Sequence, residues 1–180
     1  MTVTPIAQEE QIAIFGDLEN VFHPVLLHSD GFPRRIARFL AALKAELTRA
    51  NLTPAHEFSW LYQEMQHARS PAWHYDCEQA AASEGFTLHW SPPRHSAESL
   101  LENDVKRLLQ SAKARALPKD IIIISGDGDT IPVIDALRWT NGRRNVCVMS
   151  WSHKLNRWIT PVASGIIKLD SITPLWQHYL

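Results

Sequence analysis

Four consecutive isoleucines, Ile121–Ile124, run straight into Ser125-Gly126-Asp127-Gly128-Asp129. A short unbroken β-branched run has no solvent face, so it suits a parallel strand covered on both sides. Parallel neighbours cannot be joined by a hairpin; they need crossover connections, usually helices. This one segment therefore asks for a layered α/β fold, and the rest of the chain answers it. Ile12–Phe15 reads as a second buried strand, and Phe58–Tyr62, Thr87–Trp90, Asn145–Ser150 and Gly165–Leu169 as further ones. Between them lie helical patterns. Pro33–Arg49 repeats Ile36, Leu40, Leu43 and Leu47, with Pro33 suited to a first turn. Trp73–Glu84 stops at Gly85, Ala97–Leu117 carries Leu101, Val105 and Leu108 on one face, and Thr130–Thr140 ends near Gly142. Ser152–Thr160, closed by Pro161, is expected as the last helix. Strand and helix alternate throughout, which predicts a parallel sheet with helices on both faces.

The length of 180 residues fits one domain with its own core. A net charge of −1 gives no bulk attraction to nucleic acid or membrane, so any basic patch must be local. No apolar run reaches membrane-spanning length, and no membrane partner is expected. Two separated cysteines, Cys77 and Cys147, fit a reducing cytoplasm better than a disulfide scaffold.

Ligands of open parallel sheets sit at the carboxyl ends of the strands, where strand order reverses. Both strongest strands end in acid. Ile12–Phe15 leads into Gly16-Asp17-Leu18-Glu19-Asn20, and the isoleucine run leads into Asp127 and Asp129. If the two strands are neighbours, their carboxylates converge, and a hard divalent cation relieves the repulsion. Glycines beside the acids permit sharp turns and leave room for a ligand. Asp104 is the expected acid from the helix before the isoleucine strand, falling about 70° from the centre of its apolar arc. Asp17 and Asp129 also suit helix caps. Asn20 is expected to orient a carboxylate or a phosphate, or to cap its loop.

These residues resemble a known pattern. IAIFGDLEN is similar to the opening strand of the NYN domains, a branch of the PIN-like nucleases, and DIIIISGDGDTIPVIDALRWTNGRRNVCVMSW to their acidic strand with the helix and strand that follow. Glu102-Asn103-Asp104-Val105 stands where the family has its middle acid, and the likeness runs from about Gln11 to Ile172. It implies a Rossmann-like three-layer sandwich with a mainly parallel central sheet, and a Mg²⁺- or Mn²⁺-dependent ribonuclease. It implies metal roles for Asp17, Asp104 and Asp127, with Asp129 as a further catalytic acid. Two positions depart from the pattern: Gln110 replaces a frequent second acid, and Leu18 fills a position more often small.

The expected substrate is RNA, single-stranded or structured. Ser152, His153 and Lys154, at the start of the expected last helix, are the candidates to hold its phosphates. Trp73, Trp90 and Trp151 are candidates to stack unpaired bases, or else to build the core or a homodimer interface. Two rival readings remain open. One is a PIN-like RNA-binding or protein-interaction module without strong catalysis, toward which Gln110 points. The other is a metal-dependent phosphohydrolase acting on small phosphate esters.

Overall fold

The isoleucine run forms strand β4 (Asp120–Ile124), which lies parallel to β1 (Glu10–Asp17) with Ile14 opposite Ile122 and Gly16 opposite Ile124. The structure is a computed structural model that describes residues 10–65, 69–92, 94–140 and 142–172. Side chains alternate across the strand, so Ile121 and Ile123 enter one core while Ile122 and Ile124 enter the other. Each isoleucine buried this way contributes about 1.5–3 kcal/mol, which is why the run has no polar member.

The other strands are β2 (Leu52–Glu64), β3 (Thr87–Ser91), β5 (Asn145–Ser150) and β6 (Gly165–Lys168). All pairs are parallel, in the order β3-β2-β1-β4-β5-β6. The chain builds outward from β1 to β3, returns, and builds outward again from β4. Its order therefore reverses between β1 and β4.

Two single-turn helices, α1 (Leu18–Val21) and α2 (Pro24–Leu27), follow β1 directly. Helices α3 (Phe32–Arg49) and α4 (Pro71–Ser83) cover one face of the sheet through Ile36, Leu40, Leu43, Trp73 and Cys77. Helices α5 (Ala97–Gln110) and α6 (Ile131–Trp139) cover the other through Leu101, Val105, Val133, Ile134 and Leu137. The result is the expected α/β sandwich of three layers.

The short α1 and α2 add to the expected elements, and three others differ most from expectation. β2 begins at Leu52, because its pairing with β1 continues across a slip in register: Ile12 lies opposite Pro54 and Ile14 opposite Ser59, so the extra residues of β2 bulge out between Pro54 and Ser59. α5 stops at Gln110 instead of Leu117. Ser111 is extended there, and its hydroxyl accepts from Lys113 N, starting a separate 3-10 turn. The expected helix over Ser152–Thr160 is a series of turns. The Trp151 carbonyl accepts from Lys154 N (3.0 Å) and Leu155 N (3.1 Å), but Asn156 N then donates to Gly126 O (2.8 Å) and ends the pattern. Among the described residues, no helix is long and apolar enough to cross a membrane.

Candidate active site

The reversal of strand order brings the turns after β1 and β4 side by side, and Asp17 stands at the end of β1 with no exposed surface. Its Oδ1 accepts from Glu19 N (2.8 Å) and caps α1, and its Oδ2 accepts from Asn20 Nδ2 (2.8 Å). The Glu98 carboxyl, from the first turn of α5, lies against Asp17. Asn20 binds all the parts together. Its amide nitrogen also reaches Glu98 Oε1 (3.4 Å), and its amide oxygen accepts from Gly126 N (3.4 Å) in the turn after β4. The two carboxylates on one side and the N–H on the other fix which way the amide faces.

Burial first, and then Glu98, hold the Asp17 carboxyl well above the usual carboxylate range. Glu19 is raised too, chiefly by burial; its Oε1 accepts from Glu64 N (2.9 Å) and Gln63 Nε2 (3.3 Å), tying the β1 turn to the end of β2. Lys154 is the nearby cation. Its Nζ donates to the carbonyls of Glu19 (3.2 Å) and Phe22 (3.5 Å). Burial pushes its pKa down while the Asp17 charge pulls it up.

The turn after β4 repeats the capping of Asp17. Asp127 Oδ1 accepts from Asp129 N (3.2 Å), and Thr130 Oγ1 donates to the Asp127 carbonyl (2.6 Å). The cap is thus Asp127, leaving Asp129 free of that role. Both acids are exposed, and Asp129 shares a cleft of about 290 Å³ with Glu98, Glu102 and Ser99. The glycines here do not leave room for a ligand. A Cβ on Gly126 would meet Ser150 Oγ and stand 2.5 Å from Lys154 O, and one on Gly128 would stand 2.6 Å from Asn156 Nδ2. Their space is filled by the chain after β5.

Asp104 does not join this cluster. Its oxygens face His89 Nδ1 (3.4 Å) and Arg107 Nη1 (3.6 Å). There it lies beside the buried Tyr62 hydroxyl and helps raise its pKa after burial, while burial lowers that of His89. The physical reason is the path of α5. Six residues carry the chain about 9 Å along the helix axis, away from β1 and over β2 and β3. Glu98 takes the expected place. The signal was present, since the same 100° step puts Glu98 about 50° from the centre of the apolar arc, closer than Asp104. Gln110 lies at the far end of α5, about 18 Å along its axis from Glu98, so it has no bearing on this crevice.

The expected phosphate contacts are engaged otherwise. Ser152 N donates to Asp170 Oδ2 (2.5 Å), the exposed His153 ring stacks on Trp151 at 6.5 Å, and Lys154 holds the two carbonyls of the β1 turn. Without a helix over these residues there is no helix N-terminus to hold an anion. Trp73 and Trp151 belong to the core, with Trp151 Nε1 donating to Val21 O (2.8 Å); Trp90 is half-buried and donates to Glu78 Oε1 (2.8 Å). Arg144 is buried and donates to Thr140 O (2.5 Å) and Ala114 O (2.9 Å).

Among the described residues, no group of three or more His, Cys, Asp or Glu side chains is disposed to hold a metal ion. The donor chemistry of the crevice nevertheless fits Mg²⁺ or Mn²⁺. Asp17 and Glu98 are hard oxygen donors in contact, and Mg²⁺ is commonly held by one or two carboxylates with waters and substrate phosphates completing its shell.

No family model matches the chain, and no curated protein matches it. A crystal structure of a protein of unknown function from Vibrio parahaemolyticus is similar, with a TM-score of 0.60 and 16% identity over 92% of this chain and 96% of that one. At that identity the likeness concerns the fold alone.

Proposed function

We propose that the chain is a metal-dependent nuclease, a ribonuclease hydrolysing RNA phosphodiester bonds. One observation carries this reading: a wholly buried Asp17 in contact with the Glu98 carboxyl at the reversal of strand order. The cap on α1 accounts for Asp17 alone; setting the half-buried Glu98 carboxyl against a wholly buried one is a cost the cap does not require, which points to a chemical use. The likeness of IAIFGDLEN and DIIIISGDGD to the NYN domains supports the same reading. Asp17 and Glu98 would hold Mg²⁺ or Mn²⁺, with Asp129 of the turn after β4 lining the same cleft as Glu98 and Asp127 exposed on that turn. A cation held there would supply a more acidic water and charge stabilisation for the leaving oxygen.

The remaining roles belong to the chain. Asn20 aims both carboxylates and anchors them to Gly126 of the opposite turn. Lys154 offsets part of their charge and holds the β1 turn against the chain after β5. The exposed Asp127 and Asp129 stand where they can orient water or accept a proton at their carboxylate oxygens.

A second reading, an RNA-binding or protein-interaction module of the same fold, is favoured by the lack of a three-residue metal group among the described residues. A cleavage assay separates them. Labelled single-stranded RNA should be cut with Mg²⁺ or Mn²⁺ and left intact with excess chelator, and a small aryl phosphate ester should survive. Cleavage that persists in chelator contradicts the metal mechanism. Intact RNA with every metal leaves the module reading, and hydrolysis of the ester alone makes the protein a phosphohydrolase.

A further inference from the structure

Trp139 and Trp158 are 61% and 60% exposed. Both have guanidinium groups over the ring. Arg138 and Arg143 stand 5.2 and 5.8 Å from the Trp139 ring centre, and Arg157 stands 4.7 Å from that of Trp158. Among the described residues, neither Arg143 nor Arg157 forms an ion pair with a carboxylate. Two flat apolar faces beside cations without anionic partners are not explained by packing, which would bury the indoles, or by solubility, which would replace them.

Their place in the fold connects them to the acidic crevice. Trp158 N donates to Asn156 Oδ1 (3.0 Å), and the amide of Asn156 occupies the space beside Gly128 in the acidic turn. Trp158 is thus carried on the segment that packs against Asp127–Asp129. Helix α6 starts from that same turn and ends at Trp139, about 12 Å along its axis. Arg138 binds the Val162 carbonyl while lying over Trp139, so the Trp139 side of α6 faces the segment that carries Trp158.

We propose that the surface bearing Trp139 and Trp158 is a track for a single-stranded nucleic acid leading to the acidic crevice. This rests on the reading of that crevice as a phosphodiester site and names the form of its substrate. A base stacks on the open face of each indole, and the neighbouring guanidinium bonds a phosphate. The match is to single strands, because bases inside a duplex already have stacking partners and cannot offer a face. The overall charge of −1 leaves no other broad attraction to a polyanion, so the local arginines must supply it.

The test uses the full chain in excess chelator, which separates binding from cleavage. Anisotropy of a short labelled uridine-rich RNA is compared with that of a labelled RNA duplex. Trp139→Ala and Trp158→Ala should each weaken single-strand binding by about 5- to 100-fold, leaving duplex binding unchanged. Trp158→Phe should retain most of the affinity, and Arg157→Gln should make the salt dependence shallower. Both indoles are exposed, so circular dichroism and Tm should match the wild type. The proposal is overturned if the wild type binds no single strand, or if the alanine variants bind it normally. It is equally overturned if they lose duplex binding in parallel, or if they alter only self-association in sedimentation. Metal-dependent cleavage with unaffected tryptophan variants removes the track and keeps the nuclease. Tryptophan-dependent binding without cleavage does the reverse.

Discussion

Asp17 has two simultaneous tasks, one oxygen capping α1 and the other meeting Asn20, so its replacement mixes structure with chemistry. Glu98 caps nothing and touches the cluster through Asn20 and Asp17, which makes it the cleaner probe. Because Asp17 is raised in the folded state, the native chain binds its proton more tightly than the unfolded chain. Stability of the metal-free protein therefore falls as pH rises from the ordinary carboxylate range through the raised value. Glu98→Gln removes one cause of that rise. At pH 7 its metal-free Tm should exceed the wild type, by about 2–4 °C for each kcal/mol relieved, and the gain should close below about pH 4. A Tm gain of equal size at both pH values contradicts the charge argument. In cleavage, Glu98→Gln should cost about 100-fold or more and Asn20→Ala about 10- to 100-fold, while Asp104→Asn should stay near wild type; a reversed order between Glu98 and Asp104 returns the role of the middle acid to Asp104. Asp17 could be read from the sequence because it ends a strand. Glu98 was harder to read: its position nearer than Asp104 to the centre of the apolar arc was a signal, but acids in first helical turns are ordinary, and the contact with Asp17 is what singles it out.

At the scale of elements, the turn after β4 is held by fit against the chain after β5. Gly126→Ala drives a methyl group into Ser150 and the Lys154 carbonyl, while Gly31 has nothing within 4 Å of its added Cβ. Urea denaturation should show Gly126→Ala destabilised by about 1–3 kcal/mol and Gly31→Ala unchanged or slightly stabilised. Equal stability of the two variants contradicts this packing. The isoleucine strand was legible because its signal is local, a run of residues that all need burial. The turns at 152–160 were not, because what breaks the helix is the bond from Asn156 N to Gly126 O, a partner thirty residues away in sequence. The same long-range contact explains why the glycines read as ligand space and turned out to be packing space.

For the molecule as a whole, alternating strands and helices make a parallel sheet readable, but alternation does not say which strands are neighbours. That β1 lies beside β4 is a property of the completed sheet, and it alone turns two separate acidic turns into one crevice. The similar Vibrio parahaemolyticus structure shares this architecture without assigning a chemistry to it. The nuclease reading stands on a single place, the Asp17–Glu98 pair. The most direct measurement is anomalous diffraction from crystals of the full chain soaked in Mn²⁺. The expected result is a peak within about 2.5 Å of carboxylate oxygens from both Asp17 and Glu98, absent from crystals of Glu98→Gln. A peak found only elsewhere, such as beside Asp104 and His89, or no peak at all at saturating Mn²⁺, contradicts it.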